Sequence, residues 1–162
     1  MKIKVKKLTP EAVVPTLGSK FAAGADLYSA EKGDVVIAPG ETKFIGTGIA
    51  VEIPEGYVGL VYARSGLACK RGLAPANKVG VIDSDYRGEI KVALLNHGKE
   101  PQTLEKGERI AQMVVAPYLS VTYEETDELS DTERGEGGFG STGRKELVKN
   151  NCNGREITKS AS

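Results

Sequence analysis

Short apolar stretches recur along the chain, and turn-forming residues separate them. The pattern is clearest at 89–96, where Ile90, Val92 and Leu94 fall on one face at a period of two residues, as in a half-buried strand. Pairs such as Pro39 and Gly40 supply the dihedral angles that a tight turn requires. Similar strand-like stretches lie at 2–5, 34–41, 43–53, 57–63, 108–118 and 119–125. Many short strands between turns predict an all-β sandwich or barrel.

One short helix interrupts this pattern, at 65–72. Ser65 is expected to cap its first turn and Gly72 to end it. The segment 77–91 is predicted to contain a β-hairpin. The chain shows no internal repeat, and its length of 162 residues predicts a single domain.

The composition is that of an ordinary globular protein. The chain has 162 residues, 40% of them hydrophobic, and a formal net charge of zero. A chain of this length buries enough surface to fold without metal or disulfide staples, and the lack of a basic excess argues against nucleic-acid binding. Cys69 and Cys152 fit no metal-ligand spacing. We interpret them as one buried thiol and one tail thiol in a reducing compartment.

No segment suggests a membrane or a secretory route. At the N-terminus, lysines alternate with Ile3 and Val5, which is typical of a strand and unlike a signal peptide. The longest apolar runs, such as 92–95 and 113–116, are too short to span a bilayer. We therefore expect a cytoplasmic protein with no membrane contact.

The last forty residues differ from the rest. The segment 124–136 contains seven acidic residues and one arginine, and a glycine-rich run follows at 134–143. Neither segment offers apolar residues for a core, so mobility is expected from about residue 125 onwards. We predict a β-domain at 1–124, a flexible glycine-rich arm at 125–143 and a disordered tail at 144–162.

The glycine-rich run 134–143 fits neither familiar nucleotide motif. A dinucleotide fingerprint must follow a strand and open a helix, and a Walker loop needs Lys and then Ser or Thr after its last glycine. However, glycine amides together with Arg134, Ser141 and Thr142 can wrap a polyphosphate, and Phe139 can stack on a base. The alternative is a low-complexity linker.

Four other stretches carry candidate chemistry, and each is weak on its own. In 63–68, Arg64, Ser65 and Gly66 stand at the start of the predicted helix, where free amides favour an anion. The remaining stretches hold polar groups in predicted turns and strands, namely Asp26 in 23–30, Asn77, Asp83, Asp85 and Tyr86 in 77–91, and Arg109 and Gln112 in 107–113.

Taken in order, these stretches resemble the five motifs of the homotrimeric dUTP diphosphatases (dUTPases). The matching segments are AGADLYSA at 23–30, ARSGLA at 63–68, GVIDSDYRGEI at 80–90, GERIAQM at 107–113 and RGEGGFGSTG at 134–143. The resemblance covers residues 2–143. It implies a jelly-roll-like β-sandwich or barrel subunit with one short helix. It also implies a homotrimer whose active sites lie between subunits and whose C-terminal arm is exchanged between them.

The resemblance implies hydrolysis of dUTP and water to dUMP and pyrophosphate, which lowers dUTP and supplies dUMP for thymidylate synthesis. Uracil would be read by hydrogen bonds from a hairpin and from the main chain of Lys91; the hairpin residues are Asn77, Gly80, Val81, Ile82 and Asp83. A wrong base would leave buried donors and acceptors unpaired. Tyr86 would pack under the deoxyribose and exclude a 2′-hydroxyl; the alternative is an ordinary core tyrosine.

By the same resemblance, Asp83 is the general base that activates a water for in-line attack on the α-phosphorus. Asp85, two residues on, is distinguished from it only by the register of the motif. The phosphate chain would be held by Arg64, Ser65, Gly66 and Gln112. Mg²⁺ would bridge the phosphate oxygens, with Asp26 touching the ion through water or else merely capping a turn.

The arm would then act as a lid over the bound nucleotide. Phe139 would stack on uracil, and the phosphate end would be contacted by Arg134, Gly140, Ser141 and Thr142. Two other functions remain open. One is a dCTP deaminase of the same superfamily, and the other is a non-catalytic dUTP-binding trimer that signals through a protein partner. The tail at 144–162 has no assigned role, and any partner of it is unknown.

Overall fold

The computed structural model describes residues 1–139 and 141. The chain divides into two compact units, Met1–Val121 and a second that begins at Thr122. The first unit holds the elements β1 Lys4–Lys7, β2 Thr16–Leu17, β3 Ala25–Tyr28, β4 Val35–Ile37, β5 Thr42–Gly46, β6 Ile49–Glu52, β7 Tyr57–Tyr62, α1 Ser65–Arg71, β8 Leu73–Pro75, β9 Gly80–Ile82, β10 Lys91–Asn96, β11 Gln102–Leu104 and β12 Arg109–Pro117.

The strands of the described residues form four antiparallel sheets. The largest has the order β2-β3-β12-β7-β9, and a second has the order β5-β10-β8. Two pairs, β1-β6 and β11-β4, complete the set. Mostly β-structure with one short helix in the described part of the chain confirms the predicted fold class. None of the described helices is long and apolar enough to cross a membrane.

The core lies on the inner faces of these sheets. Ile90, Val92 and Leu94 are at most 2% exposed, which confirms the predicted face around β10. Leu27, Ile45 and other aliphatic side chains join them in one cluster. Each fully buried side chain of this size contributes about 1.5–3 kcal/mol, so the cluster makes the sheets a firm base for the loops that carry polar residues.

A glycine divides the predicted strand at 43–53 into β5 and β6. Gly48 has φ +63°, and a Cβ there would lie 2.6 Å from Thr9 Oγ1 and 2.9 Å from Ala12 Cβ. Beside it, Thr47 Oγ1 donates to the carbonyl of Ile90 at 2.6 Å. This hydrogen bond connects the bend between β5 and β6 to the residue directly before β10.

Three local predictions are wrong. Residues 119–125 form no strand, since β12 ends at Pro117, where a proline removes an amide donor from the ladder. The segment 77–91 is not a paired hairpin, because β9 pairs with β7 whereas β10 pairs with β5 and β8. Cys69 lies on the exposed side of α1 and is not buried.

The helix α1 spans the predicted residues, but its start differs from the prediction. Arg64 is the N-cap residue, with an extended backbone and no side-chain cap, and Ser65 is the first helical residue. At the other end Gly72 has φ 67° and accepts the left-handed conformation that ends the helix. A Cβ on Gly72 would also lie 2.8 Å from the amide of Gly98, so glycine is required there twice.

Candidate functional site

The predicted site residues of the first unit gather in two cavities that share no residue. The first, named here the Tyr86 cavity, has a volume of about 610 Å³ and is lined by Phe44, Asn77, Gly80, Val81, Ile82, Asp83, Tyr86, Glu89, Ile90 and Lys91. The second, the Arg64 cavity, has about 420 Å³ and is lined by Gly18, Ala22, Gly24, Asp26, Arg64, Ser65, Gly66, Arg109 and Gln112.

Tight turns on either side of β9 build the Tyr86 cavity. Before the strand, the amide of Val79 donates to the carbonyl of Asn77 at 2.7 Å, and Lys78 between them has φ 65°. After the strand, the amide of Tyr86 donates to the carbonyl of Asp83 at 3.2 Å. Since β9 itself lies at the edge of the five-stranded sheet, one side of its backbone pairs with no other strand of the described residues.

Tyr86 is not a core residue, so the alternative interpretation of it is wrong. Its side chain is 43% exposed, and its hydroxyl donates to the carbonyl of Glu89 at 2.9 Å. A Cβ on Gly88 would collide with the phenol group. Glycine at this position therefore allows the ring to lie flat against the turn while one face remains open.

The two neighbouring carboxylates separate in space. Asp83 lines the Tyr86 cavity, whereas Asp85 does not and lines an adjoining, larger cavity of about 960 Å³ next to Arg87 and Tyr118. Asp83 belongs to both spaces. The structure thus supplies a geometric distinction between the two aspartates that the sequence lacked.

A buried carboxylate organises the Arg64 cavity. Asp26 is only 8% exposed, and each of its oxygens accepts a hydrogen bond from a different arginine. Arg64 Nε donates to Oδ1 at 2.7 Å, and Arg109 Nη1 donates to Oδ2 at 3.1 Å. Two cations around one anion leave a net positive charge, and charge-assisted bonds hold both guanidinium groups in place.

Gln112 faces the same cavity from β12. Its register partner on β3 is Asp26, so the two side chains share one face of the sheet. The amide Nε2 of Gln112 donates to the carbonyl of Ala63 at 2.9 Å. A Cβ on Gly24 would lie 2.7 Å from Gln112 Oε1, so this glycine leaves room for the amide.

A divalent cation would find no ready cage in this cavity. Within residues 1–139 and 141, no group of three or more His, Cys, Asp and Glu side chains could hold a metal ion. Among the described residues, Asp26 is the only carboxylate that lines the cavity. A carboxylate retains lone pairs beyond those used by two arginines. The residues therefore fit a Mg²⁺ ion that arrives on a phosphate chain and keeps its waters.

The sequence missed several residues that line these cavities. Arg109 was noted in its motif but not assigned to the site, although its pairing with Asp26 brings it there. Phe44 and Glu89 reach the Tyr86 cavity from strand β5 and the β9–β10 connection. No local signal marks Phe44, because its position depends on the pairing of β5 with β10.

The second unit contains part of the glycine-rich run. Arg134 Nε donates to the carbonyl of Gly137 at 2.8 Å, and the amide of Gly135 donates to Thr132 Oγ1 at 3.1 Å. Phe139 has φ 47° and a fully exposed ring. Gly140, Thr142 and the tail at 144–162 lie outside the described residues, so their predicted roles stay predictions.

The family model for dUTPase matches residues 10–143 of this chain. The deoxyuridine 5′-triphosphate nucleotidohydrolase of Nautilia profundicola is 57% identical over 144 residues, which cover 89% of this chain and 100% of that protein. A mutant dUTPase of Staphylococcus bacteriophage 80alpha, solved with dUpNHpp, is 36% identical with a TM-score of 0.79 and covers 88% of this chain and 99% of its own. A mutant dUTPase of phage phi11 of S. aureus, whose structure shows a coordinated structural Mg(II) ion, is 29% identical with a TM-score of 0.70 and covers 79% and 98%.

Proposed function

This chain belongs to the dUTPase family and is a dUTP diphosphatase, and we propose that it releases pyrophosphate from dUTP by attack of an Asp83-activated water on the α-phosphorus. The observation that carries this proposal is the division of the predicted site into two chemically different cavities. One is lined by backbone and Tyr86, and the other by two arginines on one carboxylate. A nucleoside triphosphate has two parts that match these cavities, namely the nucleoside and the charged phosphate chain.

Uracil and deoxyribose bind in the Tyr86 cavity. The exposed backbone of β9 and the side chain of Asn77 offer donors and acceptors to the edge of the base. A cytosine would leave these groups unpaired, at a cost of about 1–3 kcal/mol for each. Tyr86, held by its bond to Glu89, supplies a flat apolar surface for the sugar and leaves no room for a 2′-hydroxyl.

Asp83 orients and deprotonates the attacking water. It is exposed at the rim of the Tyr86 cavity, so it can face the α-phosphate of a nucleotide whose base lies inside. The proton moves to its carboxylate, the water oxygen bonds to phosphorus, and the bond to the bridging oxygen of pyrophosphate breaks. A positioned base contributes about 10²–10⁴-fold, and alignment and charge neutralisation supply the rest.

The β- and γ-phosphates bind in the Arg64 cavity. Arg64, Ser65, Gly66 and Gln112 provide donors, and Arg109 adds a second cation. Mg²⁺, when bound, neutralises charge on the phosphate oxygens. Asp26, whose two oxygens each accept an arginine N–H, would contact the ion through water, since Mg²⁺ keeps most of its waters. The Mg(II) ion of the phage phi11 relative is a structural ion, so it shows that a dUTPase can bind Mg(II) but does not by itself support an ion on the phosphates.

The active site is composed of residues from different subunits of a homotrimer. The two cavities of one chain have no residue in common, yet one triphosphate must contact both. Between them, the outer face of the five-stranded sheet is apolar at register-matched positions of β7, β9 and β12, namely Val58, Leu60, Val81, Val114 and Ala116. Burial of this face against a second copy would join one chain's Tyr86 cavity to its neighbour's Arg64 cavity.

The arm closes the site. Arg134 and Ser141, with Gly140 and Thr142, contact the phosphate end, and Phe139 stacks on uracil. Exposure of the Phe139 ring supports this role, because an aromatic side chain of that size has an apolar surface to cover. Closure would exclude water other than the attacking one.

Pyrophosphate release from dUTP, dCTP, dTTP and UTP in the presence of Mg²⁺ tests the reaction. We expect release from dUTP alone. Deamination of dCTP would indicate the related deaminase instead. Binding of dUTP without release of pyrophosphate would favour a non-catalytic signalling trimer.

A subunit-mixing experiment tests the composite site. The Asp83→Asn variant inactivates the half of the site that contains the general base, and the Arg64→Met variant inactivates the half that binds the phosphates. If the halves come from different chains, equal amounts refolded together regain about a quarter of the wild-type sites. If both halves came from one chain, the mixture would stay as inactive as its components. Each variant refolded alone is the control.

A further inference from the structure

Arg71 and Glu108 form a charged pair that the proposed chemistry does not use. Arg71 ends α1, and its guanidinium makes three hydrogen bonds at once. Nε donates to Gln102 Oε1 at 3.1 Å, Nη1 donates to Glu108 Oε1, and Nη2 donates to the carbonyl of Thr103. The helix end is therefore bonded to β11, and through Glu108 also to the segment that joins β11 and β12.

Glu108 is itself fixed on both sides. Its Oε2 accepts the amide of Glu105 at 3.0 Å, and its carbonyl accepts the amide of Ser29 at 2.8 Å. Because Glu108 directly precedes Arg109, the pair also fixes the start of β12. That start carries a register shift in the pairing with β3, next to the point where Arg109 reaches Asp26.

The other end of α1 is held by the same strand. Gln112 on β12 donates to the carbonyl of Ala63, one residue before the N-cap Arg64. The start of the helix is thus bonded to β12 through Gln112, and its end is bonded to β11 and to Glu108, the residue directly before β12. The side chains of Arg71 and Glu108 are only 29% and 23% exposed, which sets this pair apart from exposed surface pairs of little energetic value.

We propose that Arg71 is a positioning residue for the phosphate half of the site. Through Glu108, it sets the distance between α1, which carries Ser65 and Gly66, and the start of β12, which carries Arg109. This inference rests on the proposed function, since it concerns the same Arg64 cavity. It predicts that loss of Arg71 harms recognition of the β- and γ-phosphates while the Tyr86 cavity stays intact.

The Arg71→Met variant tests this directly. We expect kcat/KM for dUTP to fall by about 10–100-fold, since small misplacements of binding groups have effects of this size. Inhibition by dUMP, which lacks the outer phosphates, should change by less than about twofold. The Arg71→Lys variant keeps the charge without the planar fork and should recover part of the loss.

Two controls separate positioning from plain stability. Lys70→Met removes the neighbouring exposed cation of the same helix and should leave the kinetics unchanged. Val51→Ala makes a cavity in the core at β6 and should lower the melting temperature without changing the ratio of dUTP to dUMP recognition. An Arg71→Met enzyme that behaved like Val51→Ala would overturn the proposal.

A double-mutant cycle completes the test. If Arg71 acts through Glu108, then Glu108→Gln should share the kinetic defect and the double variant should be no worse than Arg71→Met. Additive defects would show that the two residues act separately and would refute the positioning role. Failure of the proposed function has a different signature, because the wild-type protein itself would then release no pyrophosphate from dUTP.

Discussion

The two cavities are organised by different physical means. In the Arg64 cavity, side chains hold one another, since a buried carboxylate binds two arginines and a glutamine bonds to the adjacent backbone. In the Tyr86 cavity, backbone turns on both sides of β9 determine the shape of the cavity. The side chain of Tyr86 is held there by a hydrogen bond from its hydroxyl to the backbone carbonyl of Glu89.

This difference suits the two parts of the proposed ligand. The negative charge of a phosphate is spread over several oxygens. Cations that are already fixed in position can therefore stabilise it without rearrangement when the ligand binds. A base is recognised along one edge, and backbone donors and acceptors present that edge with few rotatable bonds. Substitutions in the Arg64 cavity should therefore disturb charge and stability together, whereas those in the Tyr86 cavity should disturb selectivity or the chemical step.

The largest expected effect is that of Asp83→Asn. The amide cannot accept a proton from water, so kcat should fall by roughly 10²–10⁴-fold. The melting temperature should hardly change, because Asp83 is exposed. Steady-state kinetics of pyrophosphate release and a thermal melt measure the two quantities.

Asp85→Asn is the matched control, two residues away and also exposed. It lies outside the Tyr86 cavity and should retain most of the activity. A reversal, with Asp83→Asn active and Asp85→Asn inactive, would assign the base to Asp85.

Asp26→Asn should disturb the other cavity in both stability and binding. The new amide nitrogen would face a guanidinium group that it cannot accept a bond from, so one of the two arginines loses its partner. We expect a loss of about 2 kcal/mol in the free energy of unfolding, measured in urea. The KM for dUTP should rise about tenfold as the arginine without a partner loses its fixed position. Unchanged unfolding with a raised KM would mean that Asp26 serves the ligand and not the arginines.

Gly88→Ala should have a smaller effect, confined to the Tyr86 cavity. The added Cβ would collide with the Tyr86 phenol, so the ring must move from its place on the turn. We expect discrimination between dUTP and UTP to relax by about 10-fold, the size of a misfitted apolar contact. Gly33→Ala, where a Cβ meets nothing within 4 Å, is the control. Undiminished discrimination in Gly88→Ala would show that Tyr86 does not select the sugar.

The fold class could be predicted because it depends on local patterns. The alternation around Ile90, Val92 and Leu94 fixes one face of a strand whatever its partners are. The partners themselves could not be predicted. The segment 77–91 reads as a hairpin, yet β9 and β10 belong to different sheets, because pairing depends on contacts between residues distant in the chain.

The same limit applies to the candidate site. Motifs marked Arg64, Asp83 and Tyr86, whose chemistry is visible in single stretches. Arg109 and Phe44 were not assigned, since a side-chain bond to Asp26 and the pairing of β5 with β10 bring them to the cavities. Ion pairs depend on the same long-range geometry. The contribution of each pair to stability depends on how deeply the pair is buried, and burial cannot be read from the sequence either.

The pair of Lys4 and Glu52 offers the smallest effect and the sharpest contrast with Asp26. These residues face each other across β1 and β6, with Nζ 2.9 Å from Oε1, and both are exposed. The hydrogen bond from Lys4 and its charge hold the pKa of Glu52 below its ordinary value. A lowered pKa in the folded state contributes stability above the pKa of the unfolded chain, and that contribution disappears as the pH falls through the folded pKa.

In Lys4→Met, the pKa of Glu52 should therefore rise towards its ordinary value, which a carboxyl NMR titration would detect. Unfolding in urea at neutral pH should barely change, because solvent screens an exposed pair, and any difference from wild type should vanish in acid. Asp26 has two arginine partners and is nearly fully buried, so Asp26→Asn should lower the free energy of unfolding measurably. Suppose instead that Lys4→Met cost as much stability as Asp26→Asn. Burial would then not be the cause of the rigidity of the Arg64 cavity. The contrast between the two cavities would have to be explained by ligand binding alone.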